Sequence, residues 1–307
     1  MSGAEEPLEA LRAGGKAALA RALARIEEAP DDPATIGLLE AAWARPLGWA
    51  LGLTGPPGVG KSTLASALVA AWRRAGRRVA VLAVDPSSRR TGGAILGDRT
   101  RLALDPEDEG LFVRSLAARD RLGGVASLCF PALVLLRALF DRVLVETVGV
   151  GQSETEIADL ADLVLLAVQP ASGDALQFLK AGIVEIPDLA VVTKADLGAP
   201  AERSARELEA ALALVTPPGR PRPGVLLVSA SRGQGIEALV EALEARAASV
   251  AGDAPARRLR QARAWLEAEL RAEAGRRAVA RLADRLAAAS PTPFASHSAL
   301  LVALDRT

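Results

Sequence analysis

Residues 49–74 read WALGLTGPPGVGKSTLASALVAAWRR: an apolar run, a loop rich in glycine and proline, and an amphipathic stretch follow one another without a gap. The loop, Gly55-Pro56-Pro57-Gly58-Val59-Gly60-Lys61-Ser62, satisfies GxxxxGK(S/T). It sits between a strand-like run and a helix beginning near Thr63, the context in which that pattern has a mechanism. Glycines let the backbone wrap phosphates closely, while exposed N–H groups and a helix N-terminus supply positive potential. Lys61 is placed to reach the β- and γ-phosphates, and Ser62 Oγ to ligate Mg²⁺. The expected phosphate contacts are Gly55, Pro57, Gly58, Val59, Gly60, Lys61, Ser62 and Thr63. A nucleoside triphosphate site follows.

The same alternation continues down the chain. Apolar runs recur at Trp49–Thr54, Val79–Val84, Leu111–Arg114, Val143–Glu146, Leu163–Val168, Leu189–Thr193 and Val225–Ser229, separated by helical stretches. Short runs of this kind predict βαβ units and a mostly parallel sheet flanked by helices, which with the phosphate loop makes an α/β P-loop NTPase. Residues 1–46 read as an N-terminal helical extension, 47–250 as the P-loop core, and 251–307 as a C-terminal helical arm. In that arm Leu259, Leu266, Leu270, Val279, Leu282 and Leu286 recur at threes, fours and sevens, with Gly275 interrupting. Such a stripe packs either on the chain's own core or against a second copy, and a homodimer contact is the sharper expectation. Pro217–Pro223 reads as a loop before a strand.

Composition narrows the function classes. Basic and acidic residues balance at 37 each, so there is no cationic surplus for nonspecific nucleic-acid binding. Aromatics are 3% with no Tyr, which argues against stacking platforms for single strands. One cysteine, Cys129, excludes an internal disulfide and a multi-cysteine zinc site. The N-terminal sequence is acidic and lacks the apolar segment of a secretory signal, and no run reaches the roughly 18 apolar residues of a membrane helix. The expectation is a cytoplasmic protein without membrane or nucleic-acid partners. Only four of the 37 basic residues are lysines, Lys16, Lys61, Lys180 and Lys194, so each lysine is a candidate for a task arginine cannot do.

Strand ends supply the remaining candidates, since ligands on such sheets bind at the carboxyl ends. Asp85, Asp98 and Glu146 are carboxylates near strand tips beside the P-loop and are candidates for Mg²⁺; each has the alternative of an ordinary cap or loop role. Gly149 and Gly151 suit a switch whose backbone meets the γ-phosphate. Val191-Val192-Thr193-Lys194-Ala195-Asp196 ends in TKxD, a variant of the GTPase NKxD signature. A carboxylate at Asp196 can accept from guanine N1–H and the 2-amino group, which adenine cannot offer. Lys194 can lie along the base plane. Thr193 replaces the usual Asn, and weaker bracing of the loop is expected there. Val228-Ser229-Ala230-Ser231 matches the loop whose backbone N–H meets guanine O6.

Together VAVLAVDPSSRRTGGAILGDRTRL, LGGVA, VLVETVGVGQSE and ADLVLLAVQPASGDALQFLKAGIVEIPDLAVVTKADLG resemble the MeaB or ArgK GTPases, MMAA-like proteins associated with methylmalonyl-CoA mutase, over about residues 15–300. The resemblance implies a GTPase that binds an adenosylcobalamin-dependent acyl-CoA mutase, gates cofactor loading and protects or reactivates it, commonly as a homodimer through C-terminal helices. It implies Mg²⁺ on Ser62, Asp85, Asp98 and Glu146, and guanine recognition by Lys194, Asp196 and Ala230. It also makes Lys180, in a GDALQFLKAG stretch, a switch residue; Phe178 stands where the family has Gly.

For hydrolysis, Lys61, Glu146, Gln152 and Lys180 are the catalytic candidates, acting on in-line attack of water at the γ-phosphate. No Gln directly follows Gly149, and Gln152 lies three residues on, so slow intrinsic turnover accelerated by a partner is expected. The chain lacks an Asp-x-His-x-x-Gly cobalamin signature, so the corrinoid is expected to belong to the partner, leaving GTP or GDP and Mg²⁺ as this chain's ligands. The single histidine, His297, reads as structural or surface. The competing readings are a P-loop kinase, which needs an acceptor pocket, and a nickel-insertion GTPase, which commonly carries a His-rich metal store.

Overall fold

The computed structural model describes residues 6–85, 105, 107–117, 124–147, 160–170, 187–282, 285–286 and 292–305. All seven expected strands are present: β1 Trp49–Thr54, β2 Val79–Asp85, β3 Leu111–Ala117, β4 Arg142–Thr147, β5 Leu163–Val168, β6 Leu189–Val192 and β7 Gly224–Leu227. They form one parallel sheet in the order β3-β2-β4-β1-β5-β6-β7. The chain leaves β1 toward β2 on one side and later fills β5, β6 and β7 on the other. Strand β1 therefore borders the switch in winding direction, where a crevice opens at the carboxyl edge.

Although the runs are almost continuously apolar, their pleat sorts them onto two faces. Leu51, Leu53, Val79, Val81, Leu144, Leu163 and Leu165 face helices α4 (Lys61–Arg74) and α7 (Ile236–Ser249), where Leu64, Leu68, Trp72, Leu239 and Leu243 close the core. On the opposite face, Leu166, Val168, Ala190 and Val192 meet Leu208 and Leu212 of α6 (Ala199–Val215). Ala80, Leu82, Val143 and Val145 on that face meet α5 (Gly124–Leu139).

Both terminal regions pack on α5. Helices α1 (Glu6–Ala13), α2 (Gly15–Glu28) and α3 (Pro33–Ala44) share one buried cluster with α8 (Ala254–Arg281) and α9 (Pro293–Asp305). Asp32 starts α3 by accepting from the Thr35 N–H at 3.1 Å, with Pro33 in the first turn. Glu40 of α3 accepts from the N–H groups of Phe294 and Ala295, both at 2.9 Å, and so caps α9 from the other end of the chain. Burial raises the Glu40 pKa, while those two hydrogen bonds pull it back down.

The C-terminal stripe is largely consumed within the chain. Leu266, Leu270, Leu282 and Leu286 lie in the shared cluster, Val279 packs against it, and Leu259 alone of the six is exposed. Gly275 breaks α8 with φ 79°, ψ 174°, as its place in the stripe suggested. Spacing on α8 therefore no longer argues for a contact with a second copy. Among the described residues, no helix is long and apolar enough to cross a membrane.

Candidate functional site

The loop after β1 owes its path to three glycines. Register places Thr54 beside Leu166, so the next residue runs against Ala167. Gly55 has φ 140°, and a Cβ there would sit 2.1 Å from the Ala167 carbonyl oxygen. Only glycine permits that approach. Gly58 and Gly60 have φ 77° and 94°, and a Cβ on either would meet nothing within 4 Å. Their left-handed backbone turns the loop beside open space, the geometry by which a glycine-rich loop wraps phosphates. Gly60 then starts α4, its carbonyl accepting from Leu64 N–H at 3.0 Å, and no acidic side chain occupies the first turn. The helix N-terminus keeps its positive potential at the cradle.

Lys61 is 6% exposed, and its ammonium donates to the carbonyls of Gly55 at 2.5 Å and Pro56 at 2.9 Å. The side chain thus folds over the loop it belongs to, at the height where phosphates would lie. Ser62 Oγ donates to Glu146 Oε1 at 2.7 Å. These residues are far apart in sequence and meet because β4 lies beside β1, with Leu53 paired to Glu146. A hydroxyl and a carboxylate oxygen in contact at the foot of a phosphate loop match the donor set of a hard divalent cation such as Mg²⁺.

Asp85 ends β2, the strand on the far side of β4, one residue beyond the pair Val84–Thr147. Its backbone reaches the same edge of the sheet; its side chain is outside the described residues, as are Asp98, Gly149, Gly151, Gln152 and Lys180.

The TKxD segment follows β6. Thr193 is buried, and its hydroxyl contacts two carbonyl oxygens, Val59 in the P-loop at 2.8 Å and Val168 at the end of β5 at 3.1 Å. Where Asn is usual and weaker bracing was expected, the Thr193 hydroxyl reaches both loops from a buried position. Lys194 adopts φ 55°, the one positive-φ non-glycine residue among those described, and its ammonium donates to Gln169 Oε1 at 2.6 Å. Asp196 Oδ1 accepts from Ser229 Oγ at 2.5 Å, and Ser231 Oγ lies 3.4 Å from the same hydroxyl. That hydrogen bond first, then the Asp196 N–H, holds the carboxyl below its ordinary pKa, with a further pull from Arg232. Ala230 begins a short turn that leads to Gly233, and Ser229 bridges Gln234 through reciprocal backbone bonds of 3.0 Å.

Thus the phosphate loop, Ser62 with Glu146, and the Asp196–Ser229 pair line one edge of the sheet. Two contributors escaped the sequence reading. Gln169 is fixed by the Val168–Val192 register, which depends on strand order. The bracing role of Ser229 depends on β7 lying next to β6.

A profile of the family described as methylmalonyl Co-A mutase-associated GTPase MeaB matches residues 19–282. A Caulobacter vibrioides protein named as a GTPase is 43% identical over 270 residues, 85% of this chain and 82% of its own. The mouse protein named methylmalonic aciduria type A homolog, mitochondrial, is 40% identical over 228 residues, 72% of this chain and 55% of its own. The crystal structure of LAO/AO transport system kinase superposes with TM-score 0.69 at 28% identity, covering 98% of this chain and 97% of that one. The Helicobacter pylori HypB structure, TM-score 0.51 at 17% identity over 70% of this chain and 94% of its own, shares the fold. An α/β P-loop architecture, a guanine-type base loop and a family match over most of the sequence converge: this chain belongs to the methylmalonyl-CoA mutase-associated GTPases of the MeaB family.

Proposed function

We propose that this GTPase is a chaperone for an adenosylcobalamin-dependent acyl-CoA mutase, in the first place methylmalonyl-CoA mutase, gating cofactor loading and protecting or reactivating the enzyme. The observation that carries the mutase half is the family match across residues 19–282. The nucleotide half rests on the juxtaposition of Lys61, Ser62, Glu146, Thr193 and Asp196 along one sheet edge.

In this reading the N–H groups of the Gly58–Thr63 segment bind the phosphates, and Lys61 exchanges its own-loop carbonyls for phosphate oxygens. Ser62 and Glu146, joined by Asp85 and Asp98, would hold Mg²⁺, which would supply neutralisation of the charge on the transferred phosphoryl group. Asp196, kept ionised by Ser229, accepts the two guanine donors; Lys194 covers the base, and the turn at Ala230 offers an N–H to O6. Gly149, Gln152 and Lys180 are assigned switch and catalytic roles, and the client mutase accelerates turnover by supplying or ordering a group in trans. Cobalamin belongs to the client. The homodimer implied by the resemblance stays within the proposal, with its contact elsewhere than the buried α8 stripe.

Affinity capture from native lysate, with GDP and with a nonhydrolysable GTP analogue, tests the assignment. An acyl-CoA mutase is expected to co-purify in a nucleotide-dependent amount. Its absence in both states contradicts the chaperone reading.

A further inference from the structure

The chain's single histidine lies in a built cluster far from the nucleotide residues in the element order. Glu269 and Glu273, four residues apart, share one face of α8, and His297 sits near the start of α9. One ligand atom from each of the three lies within 4.8 Å of the others. His297 Nε2 is 3.8 Å from Glu273 Oε1. Glu269 and His297 are 8% and 7% exposed, yet Glu269 Oε1 and His297 Nε2 are buried without a hydrogen-bond partner. Two such orphaned atoms in one cavity are costly, and they are complementary to a ligand that accepts lone pairs from both.

The surroundings favour a cation. Among the described residues, no Arg or Lys pairs with Glu269, which shares a cavity with His297 and Glu273 against the apolar wall of Trp265 and Phe294. Across the ring, Asp31 Oδ1 lies 3.9 Å from His297 Nδ1. Nε2 has no hydrogen-bond partner and faces the two glutamates, so the Asp31 carboxylate stands on the side of the ring where ligating histidines usually have a supporting carboxylate.

We propose that Glu269, Glu273 and His297 form a binding site for one divalent transition-metal ion of the zinc class, oriented by Asp31. The mixed nitrogen and oxygen donor set favours zinc and its neighbours over Mg²⁺ or Ca²⁺, which prefer oxygen alone. With metal–ligand bonds of about 2.0–2.1 Å, tetrahedral ligand atoms sit roughly 3.3 Å apart, so the cluster closes on an ion through small side-chain rotations. The fourth position opens to the cavity. The bound ion cross-links α8 to α9 and, through Asp31, to the α2–α3 connection, fastening the layer in which α1–α3 meet α8 and α9.

The test uses the full-length protein, stripped with EDTA, saturated with GDP and Mg²⁺, and dialysed against zinc chloride, with bound zinc counted by elemental analysis. One zinc per chain is expected, together with a rise in thermal midpoint on zinc addition. Glu273→Gln, at a half-exposed position that spares the core, and His297→Ala are each expected to lose the zinc and the thermal rise. Cys129→Ser and Ser62→Ala are expected to keep both, which separates this site from the thiol and from the nucleotide site. Should His297→Ala fail to fold, Glu273→Gln decides. No zinc above a protein-free control, zinc retained by Glu273→Gln, or zinc lost in Cys129→Ser overturns the proposal.

Discussion

Thr193 Oγ1 lies 2.8 Å from the carbonyl oxygen of Val59, so the segment that would read the base is tied directly to the loop that would hold the phosphates. A second contact, to Val168 at 3.1 Å, anchors both to the end of β5. The hydroxyl has one proton to share, so it couples three loops through a single group. Thr193→Val keeps shape and removes that proton, leaving the Val59 carbonyl short of a donor, while the Val168 carbonyl keeps the backbone N–H of residue 193 at 2.8 Å. Stability is expected to fall by about 1–3 kcal/mol. Fluorescent-GDP affinity is expected to drop roughly tenfold, since 1.4 kcal/mol is a factor of ten. Thr193→Ser should retain most of both. Unchanged nucleotide affinity in Thr193→Val contradicts the coupling.

Asp196 supplies a pH test with a fixed sign. Its pKa is lowered, chiefly by the Ser229 hydroxyl, so the carboxylate stays charged below the ordinary aspartate range. Its contribution is complete above the ordinary aspartate pKa and is lost as pH falls through the lowered one. Ser229→Ala removes the largest cause and shifts the acid limb of GDP binding to higher pH. Asp196→Asn, which titrates nowhere in this range, should abolish that limb along with most guanine affinity. Coincident acid limbs in the native protein and Ser229→Ala contradict this account.

Two glycines of one loop should fail in different ways. Gly55→Ala drives a Cβ to within 2.1 Å of the Ala167 carbonyl, and no side-chain motion relieves a backbone clash. A loss of at least about 3 kcal/mol is expected from the combined strain and overpacking. Gly58→Ala enters open space, so its stability penalty is limited to the left-handed backbone, about 1–2 kcal/mol. Its effect is expected chiefly on GDP binding, because the methyl group occupies the cradle. Urea denaturation and nucleotide titration on both variants separate the two; equal stability losses run against the geometry.

Much of this architecture was legible in the chain. Each strand was marked by an apolar run that register later confirmed, because parallel strands covered on both faces need no polar residue until they reach the carboxyl edge. The P-loop and the TKxD loop were legible for a related reason: each signature is written in one contiguous segment. Strand order was not legible, and with it went the residues joined across it. Glu146 could be named as a carboxylate at a strand tip, but its 2.7 Å contact with Ser62 depends on β4 lying beside β1. The α8 stripe shows the opposite limit. Leu266 and Leu270 announce burial, and spacing alone does not say whether the buried partner is the same chain or another.

The buried ion pair between Arg137 and Asp162, 3.0 Å apart, fastens α5 to the start of β5. Burial lowers the Arg137 pKa, and Asp162 is the nearby charge that opposes this. Asp162 also accepts from Ala50 N–H at 2.8 Å, and Arg137 donates to Gln261 of α8 at 3.2 Å. Arg137→Met leaves a buried carboxylate without its counter-charge, for which a loss of about 3–5 kcal/mol is expected. Adding Asp162→Asn, which keeps the bond from Ala50, should recover most of it in a double-mutant cycle by urea denaturation. Additive losses contradict a pair that acts as a unit.

The most direct test of the account is phosphate release from GTP in Mg²⁺ buffer, followed for the native protein and for Ser62→Ala, with and without purified methylmalonyl-CoA mutase. The expected result is slow release into water by the native protein and a marked increase on adding the mutase. With Ser62→Ala, a fall of at least about tenfold is expected, the scale of losing a metal-site partner. Phosphate transferred to a protein or small molecule in place of water, or a rate that neither the mutase nor Ser62→Ala changes, contradicts it.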